Sequence, residues 1–298
     1  LNHSEASTKP IYYPLLAWIN MAMAKPIAEA LLEASAALGN KPDHRRDAAL
    51  LLGHVTGLSR RDIIAHPEAK ICNAHLAQLQ AMIERRQAGH PMAYLIGTQA
   101  FWDLDFKVTP DTLIPRPETE LLIEIILSQD DTAPKTVMDL GTGSGVIAVT
   151  LAAARPDWSV IATDASIKAL RIAQQNGAGL TNLDFVAGHW LACFGGVAAD
   201  IIVANPPYID PLDSHLAALV FEPQSALVAQ DNGYADLKTI IHQSTPLLAK
   251  NGYLLLEHGY NQQDAVLREM RLAGYAPTAY CDLAGNPRAV MGHRKETL

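Results

Sequence analysis

Apolar positions recur at helical spacing through the first third of the chain and fall into short runs thereafter. Ile27, Leu31, Ala34 and Leu38 lie on one helical face, and Gly39 supplies a stop. Asp43 is placed to cap a second helix through Leu50, Leu51, Leu52 and Val55, ended by Gly57. Ser59, with Asp62 three residues on, has the spacing of a capping box for a short third helix. Asn73 is placed to cap a fourth, with Leu76, Leu79 and Ile83 on one face and Gly89 beyond its end. The pattern predicts a helical domain over 23–90, near the size at which a core is marginal alone.

Gly89-His90-Pro91 breaks this pattern, and the alternation in Phe101-Trp102-Asp103-Leu104-Asp105-Phe106 predicts a β-hairpin linker within 91–112. Pro117 suits the first turn leading into a helix over 121–127. Apolar runs and amphipathic stretches then take turns. Strands are predicted over 136–140, 160–164, 183–187, 200–204 and 252–257, with helices over 145–154, 167–176, 236–248 and 262–272. A long irregular insertion follows Tyr208 as far as about Gly233, and strand-like stretches at 277–282 and 288–292 close the chain. The fold class is therefore α/β: a doubly wound, mostly parallel sheet over 113–298 that finishes in an antiparallel pair.

Residues 1–22 stand apart. Pro14 and Asn20 interrupt their apolar cluster, so it does not read as a signal peptide. A poorly ordered extension, vector-derived or mis-annotated, is expected, with the natural start at Met21 or Met23. The net charge of −8 argues against a surface that coats nucleic acid. Between Lys41 and Arg86 the balance is +3, leaving −11 elsewhere, and solvated helix faces account for the local excess. Cys72, Cys193 and Cys281 are isolated, which points to a reducing, cytoplasmic setting without structural zinc. No apolar run reaches the length of a membrane span.

Candidate chemistry gathers at three strand ends, with an aromatic side chain at a fourth. Asp139-Leu140-Gly141-Thr142-Gly143-Ser144-Gly145 joins the first strand of the sheet to its helix. Glycines there let backbone N–H groups approach a ligand beside a helix N-terminus, although a structural tight turn makes the same demand. The spacing is Gly-x-Gly-x-Gly, not that of a dinucleotide fold. Asp164 ends the second strand, where it can accept hydrogen bonds from both hydroxyls of a ribose or cap the helix that follows. Trp190, after the third, can flank an adenine ring or belong to the core.

Asn205-Pro206-Pro207-Tyr208 ends the next strand. Two prolines remove two backbone donors and stiffen the turn, holding the Asn205 and Pro206 carbonyls out as acceptors. An amide oxygen, a carbonyl and an aromatic face suit a planar amino group attached to a π-system. Together the three corners resemble those of class I methyltransferases that use S-adenosylmethionine (SAM).

Further motifs extend the resemblance to the HemK family of protein-(glutamine-N5) methyltransferases, which modify peptide chain release factors. They include Arg45-Arg46-Asp47-Ala48, Gly89-His90-Pro91, Phe101-Trp102, Ile114-Pro115-Arg116-Pro117-Glu118-Thr119-Glu120, Phe221-Glu222-Pro223 and Leu255-Leu256-Glu257-His258-Gly259. The likeness covers about 27–298. It implies SAM binding by Gly141, Thr142, Gly143, Ser144, Gly145, Asp164, Trp190 and Asn205, leaving S-adenosylhomocysteine as product. It implies that Asn205, Pro206, Pro207 and Tyr208 bind the glutamine of the Gly-Gly-Gln loop of release factors 1 and 2, with Asn205, Pro206 and Tyr208 catalytic. The helical domain would dock the release factor, and a monomer is expected, with no metal, membrane or direct nucleic-acid contact. His189 stands where relatives usually carry Asp and is left out of the expected site.

In the mechanism this implies, the Asn205 oxygen and the Pro206 carbonyl accept the two amide N–H bonds and Tyr208 stacks on the amide plane. The nitrogen lone pair then faces the methyl group. A ribosomal-protein glutamine methyltransferase and, more remotely, an adenine-N6 nucleic-acid methyltransferase use the same tetrapeptide chemistry. A nicotinamide oxidoreductase would need the other glycine spacing.

Overall fold

The computed structural model describes residues 25–39, 42–129, 133–196 and 198–294, and the extension expected over 1–22 lies outside them. The chain divides into two compact units, Leu1–Ile96 and Gly97–Leu298.

In the first unit a two-residue pairing of β1 (Lys25–Pro26) with β2 (Lys70–Ile71) accompanies helices α1 (Ile27–Leu38), α2 (Pro42–Thr56), α3 (Arg60–Ala65), α4 (Asn73–Gln87) and α5 (Met92–Ile96). Ile27, Ala34, Leu51, Leu52, Leu79 and Ile83 form its core, as their helical spacing predicts. Gly39 ends α1 in the left-handed conformation. Ser59 and Asp62 form both halves of the capping box that opens α3. Two predicted caps are corrected. Asp43 lies inside the first turn of α2, and Asn73 is the first residue of α4, whose N-cap is Cys72.

The second unit begins with the hairpin β3 (Thr98–Phe101) and β4 (Leu104–Lys107). Phe101 and Phe106 meet edge to face, their centroids 6.0 Å apart, and both join the core of this unit. A 3₁₀ turn at Pro117–Thr119 leads into α6 (Glu120–Leu127).

Then β5 (Thr136–Leu140), α7 (Val146–Ala154), β6 (Ser159–Asp164), α8 (Ile167–Asn176), β7 (Leu183–Ala187) and β8 (Ala199–Ala204) wind the sheet. After an insertion come α9 (Ala235–Ser244), β9 (Leu248–Glu257), α10 (Gln263–Leu272), β10 (Tyr275–Cys281) and β11 (Pro287–Arg294). The helix predicted over 236–248 stops at Ser244. A short 3₁₀ turn containing Pro246 follows, and β9 starts four residues earlier than predicted.

Among the described residues the sheet has seven strands, in the order β10-β11-β9-β8-β5-β6-β7. Pairs from β9 to β7 are parallel, while β11 runs antiparallel to both β9 and β10. This is the doubly wound sheet the alternation predicts.

Its strands are apolar on both faces because both are covered. Val137, Ile201, Val203 and Leu255 pack on one side with α6 and α7, and Met138, Leu140, Ile202, Ala204, Leu254 and Leu256 on the other with α9 and α10. From β5 the chain moves outward through β6 and β7, then returns to the far side of β5 as β8. The crevice at that reversal is where such sheets bind ligands.

Candidate active site

Two carboxylates shape the loop after β5. Asp139 is buried on the strand itself; its Oδ2 accepts from Thr142 Oγ1 (2.5 Å) and the Ala148 amide (3.2 Å). Its Oδ1 is buried and has no partner among the described residues. Burial pushes this carboxyl up to about 7, against the pull of those two donors. Asp164, at the end of β6, accepts from the Gly143 amide (2.9 Å) and the Ser166 amide (2.7 Å). Burial raises its carboxyl as well. The N-cap of α8 is Ser166, whose Oγ accepts from the Ala169 amide, so Asp164 is not the cap.

Gly141 and Gly143 have φ of +69° and +59°. A Cβ on Gly141 would lie 3.0 Å from the Trp190 ring, so this position is held to glycine by its conformation and by its neighbour. Trp190 itself takes a positive φ of 50°. Its Nε1–H donates to Asp236 Oδ1 (3.1 Å), while its ring joins the core beside Met138 and Leu140. The same ring also lines the cavity described next.

That cavity, of about 230 Å³, is lined by Gly141, Gly143, Asp164, Trp190, Asn205 and Pro207, together with Leu113, His189 and Asp236 among others. Thr142, Ser144 and Gly145 do not line it. The Thr142 hydroxyl is turned to Asp139, and the Ser144 carbonyl accepts from Asn176 Nδ2 (2.7 Å). A smaller cavity of about 90 Å³ is lined by Asn205, Pro206 and Tyr208 with Arg116, Ile209 and Leu227. Asn205 is common to both. The structure thus brings the predicted tetrapeptide, Gly141, Gly143, Asp164 and Trp190 to the two cavities, and adds His189.

The register explains what stands beside Asn205. Ala204 of β8 pairs with Leu256 of β9, so Asn205 and Glu257 are the next residues out. Period two puts both on the face of Val203 and Leu255, where the turn before α6 arrives. Asn205 Nδ2 donates to Thr119 Oγ1 (3.0 Å), and Thr119 Oγ1 donates to Glu257 Oε2 (2.8 Å). The Tyr208 hydroxyl donates to Glu257 Oε1 (3.2 Å). Among the described residues nothing donates to Asn205 Oδ1 or to the Pro206 carbonyl, which leaves two acceptors free. Burial raises the Glu257 carboxyl to about 7, and burial beside Glu257 raises the Tyr208 phenol, which stays neutral.

The backbone of the tetrapeptide is held from behind. Gln262 Nε2 donates to the Tyr208 carbonyl (3.1 Å) and to the Gly233 carbonyl (3.2 Å). Glu222 binds the Ile114 amide (3.0 Å) and pairs with Arg116, fixing the far wall of the smaller cavity. Thr119, Glu257, Glu222, Gln262 and Asp236 were not expected in the site. Thr119, Glu222 and Glu257 lie within motifs that carry the family resemblance, whereas Gln262 and Asp236 lie in none of them.

The sheet order, the glycine loop and a ligand crevice at the reversal point define a class I methyltransferase fold. Solved structures agree with the fold. A methyltransferase from Pyrococcus furiosus matches with a TM-score of 0.51 at 16% identity, covering 73% of this chain and 98% of that one. The hMettl16 catalytic domain in complex with MAT2A 3′UTR hairpin 6 matches at 0.53 and 17%, covering 78% and 86%. The profile of the PrmC N-terminal domain matches residues 29–97, and that of the methyltransferase small domain matches 117–235.

Over 267 residues the chain is 43% identical to the release factor glutamine methyltransferase of Escherichia coli (strain K12), covering 88% of this chain and 96% of the relative. It is 43% identical over 254 residues to the enzyme of that name from Coxiella burnetii, covering 84% and 92%. The chain belongs to the release factor glutamine methyltransferase family. No helix among the described residues is long and apolar enough to cross a membrane. Among them, too, no group of three or more His, Cys, Asp or Glu is placed to hold a metal ion.

Proposed function

We propose that the chain transfers a methyl group from SAM to the side-chain nitrogen of the Gly-Gly-Gln glutamine in peptide chain release factors 1 and 2. It does so as a cytoplasmic monomer without direct nucleic-acid contact. The helical domain over 23–90 docks the factor, the hairpin over 91–112 is the linker, and 113–298 carries the chemistry. The observation that supports this most is Asn205, which lines both cavities and presents an amide oxygen to which no described residue donates.

The larger cavity has the features a SAM-sized nucleoside needs. Asp164 is positioned for ribose hydroxyls, Trp190 for an aromatic base, and the backbone of Gly141 and Gly143 for close approach. Thr142, Ser144 and Gly145 shape the loop that presents these groups. When bound, the cofactor supplies a methyl group made electrophilic by its sulfonium.

The protein's remaining task is orientation, because an amide nitrogen is a poor nucleophile. Asn205 Oδ1 and the Pro206 carbonyl accept the two N–H bonds of the glutamine amide. Its lone pair then points at the methyl carbon, and the positive charge growing on nitrogen meets two acceptors. Pro207 and the Tyr208 ring cover the amide plane and exclude water. Bound in the larger cavity, the cofactor would give its methyl group to this nitrogen and keep the S–C electron pair on sulfur, and the amide would shed one proton to solvent.

The test is transfer of tritium from labelled SAM into purified release factor, beside a factor with the glutamine changed to alanine. Label in the unaltered factor alone is expected. Label in ribosomal proteins or duplex DNA instead would overturn the acceptor assignment.

A further inference from the structure

A carboxamide is nearly symmetric in shape, yet only one of its ends can accept a hydrogen bond. Two acceptors facing an amide NH₂ orient it; a donor in place of one of them repels it. Something must therefore decide which end of Asn205 faces the cavities, and the structure contains a chain of groups that does so. The Thr119 hydroxyl has a single proton. While that proton is given to Glu257 Oε2 (2.8 Å), Thr119 can only accept from Asn205, so Nδ2 turns toward it (3.0 Å) and Oδ1 faces the acceptor. The Tyr208 hydroxyl spends its own proton on the other carboxylate oxygen and cannot supply Thr119.

The reverse polarity is equally well connected. With a proton on Oε2, the Glu257 carboxyl donates to Thr119. The Thr119 hydroxyl then donates to Asn205, whose oxygen must turn inward, leaving its NH₂ facing the amide it should accept from. We propose that Thr119 and Glu257 are positioning residues that decide which end of the Asn205 carboxamide faces the acceptor. This rests on the glutamine-transfer reading above.

The surroundings leave both polarities accessible near neutral pH. Glu257 is buried, and burial brings its carboxyl to about 7. Arg288 on β11, Thr119 and Tyr208 favour its ionised form, whereas Glu118 opposes it. His258, the next residue, is itself kept neutral by burial and directs Nδ1 to the Gly259 carbonyl. Asp139 has its carboxyl in the same range, so a wild-type pH profile alone does not identify Glu257.

The experiment is single-turnover methyl transfer to release factor by the full-length chain at saturating SAM and factor, from pH 5.5 to 9. Cofactor affinity and thermal stability are measured on the same samples. Wild type should show a rate that rises to a plateau through neutral pH. Thr119→Val keeps the shape but not the hydroxyl. It should lower the plateau about 10- to 100-fold with KM for the factor within about threefold, and lose the pH step. Thr119→Ser should restore both. Glu257→Gln should also lose the step, and it serves as the second test should Thr119→Val fail to fold. A merely structural role would change stability and leave the pH step in place.

Wild-type rate and pH step in Thr119→Val, or a pH step that survives in Glu257→Gln, would overturn the proposal. Absence of any label in the factor with wild type would overturn the functional reading instead.

Discussion

The Tyr208 carbonyl oxygen occupies the space a side chain at Gly233 would need: a Cβ there would stand 2.1 Å from it. Gly233 also has φ of +81° and follows Asp231 and Asn232, both at φ of 56°, so three successive residues are left-handed. Gly233→Ala must move the Tyr208 backbone or strain its own. It is expected to destabilise the protein by about 2–4 kcal/mol in chemical denaturation, and to lower transfer more than the stability loss alone explains.

Asn205→Ala removes the amide oxygen aimed at the acceptor and leaves Thr119 without its donor. Single-turnover transfer at saturating SAM should fall about 100- to 1,000-fold, the size seen when one aligned group is lost from a charge-stabilising site. SAM affinity, measured by equilibrium binding, should change only a few-fold. An unchanged rate would mean that orientation by Asn205 is not part of the reaction.

Gly141→Ala places a methyl group 3.0 Å from the Trp190 ring at a φ of +69°. Side chains are disfavoured in that region by about 1–2 kcal/mol. SAM affinity should therefore drop about 5- to 30-fold or more. Calorimetric titration checks this.

Asp139 gives a prediction in pH. Its folded carboxyl, at about 7, lies above the ordinary value of 3.8 because of burial. The associated stability is fully present below pH 3.8 and is lost as pH rises through about 7. Asp139→Asn removes that penalty. Without cofactor it should be more stable than wild type at pH 8, by roughly 1–3 kcal/mol, with the difference vanishing only below about pH 4. Urea denaturation at pH 8 and below about pH 4 tests the sign.

Where the signal was local, the sequence conveyed it. Ser59 and Asp62 cap each other's backbone within four residues, so spacing alone identified the box. The strand Leu183–Ala187 and the helix Ile167–Asn176 were legible from apolar period and flanking glycine and serine. Asp43 and Asn73 were misplaced because a polar residue one or two positions away gives nearly the same pattern at a cap.

In the site, Asn205–Tyr208 and the glycine loop announced themselves through residues that only a special backbone requires. Thr119 and Glu257 did not. They are 138 positions apart, and only the pairing of Ala204 with Leu256 sets Glu257 beside Asn205. Trp190 resisted assignment for a different reason, since one ring serves the core and the cavity at once.

Asn205 lines both cavities, and that makes it a shared wall. A ligand in one cavity that favours one rotamer of this side chain changes affinity in the other. By thermodynamic reciprocity, the second ligand returns the same factor to the first. Transfer changes the ligand on both sides of that wall, since the cofactor loses a methyl group and the acceptor gains one. Order of binding and order of release are thus tied to one amide, and substitutions at Asn205 should disturb both together.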